Sequence, residues 1–367
     1  MGRHGMTNSL RSLSREEERH AFLNKHGAGQ LPQEPLLQDC SDRVYIRLQG
    51  HGMWNNEQVM FVDDPDPDNA KRFADIAHYL ASLGLRVPHI YAASEHGFLL
   101  IEDLGETRFR DVLKDDPSAH DDLWETLFDT LIHLQKASHQ TGASPASAAP
   151  PTLAHHHASA PPSLERMTVE TLLEEVDIFL EWGLSYIGRS LSAPERHEAR
   201  RVWEMFLTPL ADHMPCQATE GYVCVHKDFH SENLLILDAE GLQGCGVIDF
   251  QDALWGPPAY DLVSLIEDVR LPFDGPRITQ QKAHFIHKQS LFTNHEWEAT
   301  YDRLSLQRAV KIFGVFCRLA LRDGKLKKVD YLANTFLFIE QGLKHPAAHD
   351  VRDWFLSLDF KRRLESF

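Results

Sequence analysis

The sequence has 367 residues, of which 43% are hydrophobic and 25% charged, and its excess of Asp and Glu gives a formal net charge of −17. This composition is ordinary for a soluble globular protein and excludes wholesale disorder and a fibrous repeat. The chain is longer than one hydrophobic core usually supports, so we expect two domains or lobes.

The acidic balance also bears on partners and location. Nucleic acid and anionic membranes are bound largely through Lys and Arg, so neither is expected as a partner. No run of about 18 apolar residues occurs, and residues 1–30 are polar rather than an apolar signal peptide. The five cysteines form no CxxC pair, which argues against a disulfide framework or a thiolate zinc site. We expect a cytoplasmic protein and a monomer.

The N-terminal part of the chain predicts a hairpin. Residues 1–30 have little apolar periodicity and are interpreted as a loose or partly helical N-terminal extension. RVYIRL (43–48) and EQVMFV (57–62) are rich in β-branched and aromatic residues, as strands are. Gly and Asn residues between the two segments indicate a turn.

A helix and two more strands are expected next. The helix over 69–83 is predicted by apolar residues at helical spacing, namely Phe73, Ile76, Ala77, Leu80 and Leu83. VPHIYAA (87–93) and GFLLIEDLG (97–105) have the composition of short strands. Residues 31–105 are therefore predicted to form a small α+β domain.

The remaining residues, 106–367, are predicted to form a larger and mostly helical domain. Helical patterns cover 108–139, 168–212 and most of 258–344, and a strand pair is expected within 222–250. Residues 141–163 are rich in Ala, Pro and Ser and are interpreted as a flexible insertion. We read the His triplet within that insertion as linker rather than a metal site.

The stretch from Gly221 to Ala253 carries the chemistry. An apolar run leads into Asp228, Asn233 follows five residues later, and the apolar segments LLIL and GVI end at Asp249. If LLIL and GVI pair as a hairpin centred near Gly241, Asn233 and Asp249 lie opposite each other at its open end. Asp228 lies on the loop immediately before the first strand.

These three side chains suit magnesium. Two carboxylates and an amide oxygen form a partial set of hard ligands, which water and substrate phosphates can complete. Phosphoryl transfer needs such positioning and charge neutralisation, and a carboxylate that orients the attacking hydroxyl. We therefore predict that these three residues form a magnesium site that serves phosphoryl transfer.

Two other interpretations of this stretch were weighed. Asp and Asn are favoured in turns and at helix caps, so the three residues could be purely structural. His226, Asp228 and His230 could instead bind a metal, as in HExxH zinc sites. The run before them is β-like, however, and a strand holds residues i and i+4 far apart. His226 is rather expected to pack and to brace the loop through backbone hydrogen bonds.

The same residues carry a family resemblance. HKDFHSEN (226–233) and IDFQDA (248–253) resemble the catalytic loop and the metal-binding segment of aminoglycoside phosphotransferases. That family has the two-lobed protein-kinase-like fold, with a small antiparallel-sheet N-lobe and a larger, mostly helical C-lobe. The resemblance implies that Asp228 is the catalytic base and that Asn233 and Asp249 bind magnesium.

Further segments are similar to one branch of the family, the anomeric N-acetylmuramate/N-acetylglucosamine kinases of bacterial cell-wall recycling. They are 39–48, 87–105, 175–184, 249–270 and 306–325. The resemblance spans about residues 36–335. It implies that ATP phosphorylates the C1 hydroxyl of an amino sugar.

The resemblance also implies nucleotide contacts. The segment 39–47 would be the loop that covers the nucleotide, and 102–104 would be the hinge that meets adenine through backbone groups. Asp261 would be the buried carboxylate that holds the catalytic loop, although an acid at a helix start is expected there in any case. The nucleotide-binding candidates are Ser41, Arg43, Arg47, Glu102, Asp103 and Leu104.

One feature departs from ordinary kinases. Their third strand carries a lysine that holds the nucleotide phosphates, but Met60 stands at that place here. We expect Arg43 or Arg47 to supply the charge. The absence of the lysine is also what favours a nucleotide-binding module without catalysis as an alternative function.

The sugar pocket is expected in the helical domain beside Asp228. Its candidate residues lie on one predicted helix. Its acids share one predicted face and could accept hydrogen bonds from sugar hydroxyls, while an indole packs against the ring. A solvated acidic face is the equally weighted alternative, and Arg308 and Lys311 are similarly ambiguous. The predicted sugar contacts are Glu174, Asp177, Glu181 and Trp182.

The leading hypothesis is an ATP- and magnesium-dependent kinase that phosphorylates C1 of N-acetylmuramate or N-acetylglucosamine. A kinase of the same fold for another small acceptor, such as an aminoglycoside or a choline-like cation, is the second. An acidic pocket would suit cationic acceptors as well, so net charge does not separate the two hypotheses.

Overall fold

The computed structural model describes residues 14–36, 43–49, 58–114, 120–142, 162–213 and 222–364. The chain forms two compact units. The first comprises Met1–His78 and Pro88–Gly105, and the second Tyr79–Val87 and Glu106–Phe367. None of the described helices has the length and apolar character that a membrane crossing requires.

The first unit is built on an antiparallel sheet of five strands in the order β1-β2-β3-β5-β4. Strands β2 and β3 form the predicted hairpin, with Val44 opposite Asp63 and Leu48 opposite Val59. The strand bounds are β1 Gln33–Pro35, β2 Val44–Leu48, β3 Val59–Asp63, β4 Ile90–Ala93 and β5 Phe98–Glu102.

Helix α2 (Pro67–Ser82) confirms the helix predicted from apolar spacing. All five of its predicted core residues are buried. The chain turns after the helix at Gly84, whose φ of +90° is in the left-handed region that favours glycine. The spacing of apolar residues was therefore sufficient to predict this helix.

Of the two interpretations of residues 1–30, the described part agrees with a partly helical segment, and this segment packs on the sheet rather than being loose. Ser14 caps helix α1 (Arg15–Lys25) through a capping box with Glu17. Phe22 and Leu23 are buried in the hydrophobic cluster of the sheet. The aromatic ring of Phe22 lies 5.8 Å from that of Phe98. These two apolar residues anchor an otherwise polar helix together with Arg15, which pairs with Asp63 and donates to the carbonyl of His96.

We expect Leu23→Ala to lower the free energy of unfolding by about 2–5 kcal/mol, because Leu23 is fully buried and its loss leaves a cavity. Urea denaturation measures the change. His20→Ala, on the exposed side of the same helix, is the matched control and should stay within about 0.5 kcal/mol of the unaltered protein. Equal stability of Leu23→Ala and the unaltered protein would mean that α1 does not contribute to this core.

The second unit is mainly helical. Its helices are α3 Phe109–Leu113, α4 Asp121–Gly142, α5 Val169–Ile178, α6 Leu184–Tyr186, α7 Ala193–Leu207, α8 Ala259–Ile266, α9 Gly275–Lys288, α10 Asn294–Asp323, α11 Leu332–Gly342, α12 His349–Ser357 and α13 Phe360–Leu364. A π-helical segment, Phe179–Gly183, joins α5 to α6. Helix α10 approaches this segment closely at Gly314, where a Cβ would lie 2.6 Å from the backbone nitrogen of Phe179.

Two small antiparallel strand pairs lie among these helices. Strand β6 (Val223–Val225) pairs with β9 (Leu254–Gly256), and β7 (Leu234–Ile236) pairs with β8 (Cys245–Val247). The predicted hairpin of LLIL with GVI is therefore present. The second pair, β6 with β9, was not predicted and encloses this hairpin in the sequence.

Candidate active site

The loop between β6 and β7 carries Asp228 and is fixed by a buried carboxylate. Asp261, at the start of α8 and 1% exposed, accepts hydrogen bonds from the backbone N–H groups of His226 (2.7 Å) and Lys227 (3.0 Å). Lys227 has a φ of 79°. This conformation costs a non-glycine residue on the order of 1–3 kcal/mol, so the two hydrogen bonds hold the loop in a strained state.

His226 is packed beneath this loop. Its Nε2 lies 2.9 Å from the carbonyl oxygen of Ile248, and its Nδ1 accepts from the backbone N–H of Asp228 at 3.3 Å. The ring thus links the Asp228 loop to the segment that precedes Asp249. These bonds occupy both ring nitrogens, and the described residues contain no group of three His, Cys, Asp or Glu side chains suited to a metal. The alternative of a zinc site at His226, Asp228 and His230 finds no support.

Asn233 and Asp249 meet, although not in the predicted register. Asn233 pairs with Ile248 through the N–H of Ile248, one residue short of the expected partner. Asp249 follows the strand with a φ of 63°, which turns its side chain back. The Nδ2 of Asn233 donates to Asp249 Oδ2 at 3.3 Å and to the backbone carbonyl of Asp228 at 3.1 Å.

This pair can hold a magnesium ion. The amide nitrogen of Asn233 is used for hydrogen bonds, which leaves its Oδ1 as an acceptor beside the carboxylate of Asp249. Gln251 donates to Asp249 Oδ1 at 2.9 Å and orients that carboxylate. One carboxylate and one amide oxygen, completed by water and phosphate oxygens, fit the ligand preference of Mg²⁺.

The carboxylate of Asp228 lies at the end of a buried arginine. Arg308, from α10 and 4% exposed, approaches Asp228 Oδ1 at 3.4 Å and also donates to the carbonyl of Lys227 at 3.0 Å. The Asp228 side chain is 40% exposed. Burial alone would raise the pKa of Asp228, but Arg308 and Lys311 outweigh it and hold the pKa well below its ordinary value. Asp228 is therefore ionised at neutral pH.

A second acid in this neighbourhood was missed by the sequence analysis. Glu175, on α5, forms ion pairs with Lys311 at 2.7 Å and with Lys227 at 3.3 Å. It also accepts a hydrogen bond from Gln307 at 3.1 Å. Burial raises the pKa of Glu175, yet the two lysines lower it overall. The surroundings of Asp228 are thus rich in cations.

The structure does not gather the predicted sugar contacts around Asp228. Glu174 and Glu181 are exposed. Asp177 forms an ion pair with Arg200, which also binds Glu170, and Trp182 is half-buried. The observed contacts of these acids match the solvated-face alternative. The neighbouring position on α5, Glu175, is instead the acid that pairs with Lys227 and Lys311 near Asp228.

An ion network includes two residues of the segment between Asp228 and Asn233, namely Ser231 and Glu232. Glu232 accepts hydrogen bonds from Arg110 at 3.1 Å and from Arg270 at 2.6 Å. Asp268 accepts from the backbone N–H of Ser231 at 3.1 Å and from Arg270 at 3.1 Å. The network ties the active-site loop to residues 268–270 and limits its movement.

This network predicts loss of stability in acid. Burial raises the pKa of Glu232 and of Asp268, but the nearby arginines and other cations outweigh it and lower both values to about 2. Between their ordinary pKa values and about 2, the unfolded chain binds more protons than the folded protein. The free energy of unfolding therefore falls as the pH decreases through this window.

Glu232→Gln should make this pH dependence shallower, because the substitution removes one of the titrating groups. Urea denaturation at several pH values between 5 and 3 measures it. Glu240→Gln, at an exposed position, is the matched control and should keep the original slope. An unchanged slope in Glu232→Gln would contradict the assignment of acid sensitivity to this network.

In the first unit, Arg47 is better placed than Arg43 to compensate for the missing lysine. Arg47 lies directly opposite Met60, so the two side chains share one face of the sheet. Its guanidinium forms an ion pair with Asp103. Arg43 is 6% exposed and pairs with Asp64 at 2.7 Å, which indicates a structural role.

The predicted hinge residues begin at the end of β5, with Glu102 as its last residue. The backbone N–H groups of Glu102 and Asp103 donate to the carbonyls of His89 and Gln58 at 2.8 and 2.9 Å. Both amides are thus used within the first unit, and of the three predicted hinge residues Leu104 becomes the better candidate for a backbone N–H contact with adenine. Ser41 lies outside the described residues.

The fold is that of a kinase-like phosphotransferase. The residues around Asp228 in the second unit and the predicted nucleotide contacts in the first unit agree with this class. Residues 32–299 match the APH phosphotransferase enzyme family, and since this is more than half of the sequence, the chain belongs to that family. The predicted family resemblance is thereby confirmed.

Particular relatives narrow the class. The chain is 28% identical over 337 residues to an N-acetylmuramate/N-acetylglucosamine kinase of Pseudomonas putida, covering 89% of this chain and 88% of the relative. It is 27% identical over 376 residues to a kinase of the same name from Caulobacter vibrioides, covering 94% of this chain and 96% of the relative. With the family match, these relatives identify the chain as a kinase.

Solved structures support the predicted fold class. A choline/ethanolamine kinase family protein from Mesorhizobium loti has a TM-score of 0.56 at 14% identity, covering 91% of this chain and 96% of its own. A microcompartment-associated aminopropanol kinase has a TM-score of 0.57 at 14% identity, covering 91% and 98%. The α+β, protein-kinase-like fold is confirmed.

Proposed function

We propose that this protein transfers the γ-phosphate of ATP to the C1 hydroxyl of N-acetylmuramate or N-acetylglucosamine. The observation that carries the proposal is the carboxylate of Asp228 beside Arg308, on the loop that leads to Asn233, which contacts Asp249. The names of the relatives supply the acceptor. A role in cell-wall recycling follows from the origin of these sugars in peptidoglycan. The cytoplasmic location and the monomeric state stay predictions.

Asp228 is suited to orient the acceptor hydroxyl. Its low pKa makes it a weak base, but an anomeric hydroxyl is more acidic than an ordinary alcohol, so little basicity is needed. Arg308 fixes the direction of the carboxylate from one side. The hydroxyl oxygen attacks phosphorus as the bond to the ADP oxygen breaks, and Asp228 accepts the hydroxyl proton.

Asn233 and Asp249 would hold the magnesium that accompanies ATP. The ion neutralises charge on the phosphate oxygens when it is bound. Asn233 also donates to the carbonyl of Asp228, so the residue that supplies a metal ligand supports the loop that carries the base. In the first unit, Leu104 would contact adenine, and Arg47 would supply the positive charge that the lysine gives in other kinases.

Cationic acceptors, such as an aminoglycoside or choline, fit this site less well. Glu174 and Glu181, which could have bound a cation, are exposed, and Asp177 pairs with Arg200. The charged groups that contact Asp228 and Glu175 are the cations Arg308, Lys227 and Lys311. A nucleotide-binding module without catalysis would have no use for the strained loop that holds Asp228.

A substrate panel tests the proposed function. The protein is incubated with labelled ATP, magnesium and one of four acceptors, namely N-acetylmuramate, N-acetylglucosamine, kanamycin or choline. We expect phosphorylated product from the amino sugars and no product from the two cations. Turnover of kanamycin or choline alone would overturn the choice of acceptor, and absence of any turnover would favour the module without catalysis.

A further inference from the structure

Lys227 immediately precedes the proposed base and carries a side chain in a backbone conformation that favours glycine. We infer that Lys227 binds an anionic group of the acceptor and thereby makes the site prefer an amino sugar that carries a carboxylate. The inference rests on the proposed function and goes further, since it assigns the discrimination between acidic and neutral sugars to one side chain.

The backbone of Lys227 is held by its neighbours. Asp261 accepts its N–H at 3.0 Å, and Arg308 donates to its carbonyl at 3.0 Å. Its φ of 79° would cost glycine nothing, and no contact of the backbone requires a side chain. Strain of this kind is found where a side chain serves function.

The side chain reaches a polar cluster rather than bulk solvent. Its Nζ lies 3.3 Å from Glu175 Oε1, and the side chain is 28% exposed. Glu175 has a shorter ion pair with Lys311, at 2.7 Å, and accepts from Gln307. Because Glu175 is already neutralised by Lys311 and an ammonium has three donors, Lys227 retains capacity for a second anion.

The charges of the cluster favour an anionic ligand. Three cations, Arg308, Lys311 and Lys227, contact two carboxylates, Asp228 and Glu175. The two lysines and the arginine come from α10 and the loop before Asp228, so they converge beside the proposed base. A third carboxylate, Asp261, is occupied by the backbone N–H groups of His226 and Lys227. An acceptor carboxylate beside Lys227 would be attracted by its ammonium group, whereas an acceptor cation would be repelled by it.

We place the acceptor on the side of Asp228 toward which the Lys227 side chain extends, away from the proposed metal ligands. The phosphate side is marked by the proposed metal ligands Asn233 and Asp249, which contact each other. Lys227 instead extends toward α5 and α10 through Glu175, and Glu175 contacts Lys311 and Gln307 of α10. An acceptor bound at Asp228 would lie against these two helices.

Two sugars isolate the contribution of the carboxylate. N-acetylmuramate and N-acetylglucosamine share the ring, the acetamido group and the C1 hydroxyl, and only the former carries a lactyl carboxylate. We expect Lys227→Gly to lower the ratio of kcat/KM for N-acetylmuramate to that for N-acetylglucosamine by about tenfold or more, as for loss of a hydrogen bond between charged groups. The loss should lie mainly in KM. Lys227→Arg, which keeps the charge, should retain the ratio within about threefold.

The controls separate this role from a general effect on the loop. Asp359→Gly relieves another positive φ, of 51°, in the C-terminal helices and should leave both sugars unaffected. An unchanged ratio in Lys227→Gly, with both sugars losing activity equally or with a raised KM for ATP, would overturn the inference alone. Absence of turnover of both sugars by the unaltered protein would overturn the proposed function and, with it, the inference.

Discussion

Replacement of Asp228 by Asn is expected to lower kcat for sugar phosphorylation by about 10²- to 10⁴-fold, the usual contribution of a positioned acid or base. Asn has the shape of Asp and can still accept a hydrogen bond from Arg308, but it cannot take the proton of the acceptor hydroxyl. Because the carboxylate is 40% exposed, the substitution should not impair folding. Steady-state kinetics with saturating ATP and sugar measure the loss.

The matched control for this prediction is Asp252→Asn. Asp252 is exposed and lies only three residues beyond the proposed metal ligand Asp249. The control therefore makes the same substitution near the site, at a residue that has no proposed role. It should keep kcat within about twofold. A kcat of Asp228→Asn that also stays within twofold, with circular dichroism unchanged, would exclude Asp228 as the base.

The second large effect is expected from Asp261→Ala. The substitution leaves the buried N–H groups of His226 and Lys227 without acceptors, each at a cost of about 1–3 kcal/mol. The strained φ of Lys227 would then relax and displace Asp228. We expect the free energy of unfolding to decrease by on the order of 3 kcal/mol and kcat to decrease about 10²-fold, as when a reacting group moves by about 1 Å.

Denaturant unfolding and kinetics on the same preparation test this second prediction. Asp353→Ala, in an exposed position of α12, is the matched control and should change neither quantity appreciably. Full stability together with full activity in Asp261→Ala would show that the loop does not depend on this carboxylate. Loss of stability with kcat unchanged would separate folding from the positioning of Asp228.

The sequence predicted those elements whose signals are local. The hairpin of β2 and β3 follows from strand composition around a turn, and α2 follows from the spacing of apolar residues such as Phe73 and Leu80. The meeting of Asn233 and Asp249 was also predicted, because a short hairpin brings its two ends together whatever its exact register. Such features can be predicted from residues that are close together in the sequence.

The bounds of helix α1 and its packing on the sheet were not predicted, because the signal for them is not local. Phe22 and Leu23 are its only buried residues, too few for apolar periodicity. The partners of Phe22 include Phe61 and Phe98, which are far along the sequence. The capping box of Ser14 with Glu17 was the available signal.

The cations around Asp228 could not be derived from spacing. Arg308 lies 80 residues from Asp228 in the sequence, and only the packing of α10 brings it there. On α5, helical spacing grouped Glu174, Asp177 and Glu181, but the π-helical segment 179–183 shifts the later positions relative to a regular helix. The face that carries Glu175 is the one that meets α10.

The register of the β7–β8 hairpin differs by one residue from the predicted one, which assumed a turn centred on Gly241. The segment Gly241–Gly244 forms a 3₁₀ turn, and Asp249 leaves the strand with a positive φ. Both features depend on the local backbone rather than on side-chain pattern. The predicted contact survives because the turned backbone of Asp249 directs its carboxylate toward Asn233.

Identification of the product tests the central claim most directly. The unaltered protein is incubated with ATP, magnesium and N-acetylmuramate or N-acetylglucosamine, and the phosphorylated sugar is analysed by phosphorus NMR and mass spectrometry, with Asp228→Asn run in parallel. The account predicts a sugar 1-phosphate, with coupling of phosphorus to the anomeric proton, and almost none from the variant. Phosphate on another hydroxyl, or equal amounts of product from the variant, would contradict it.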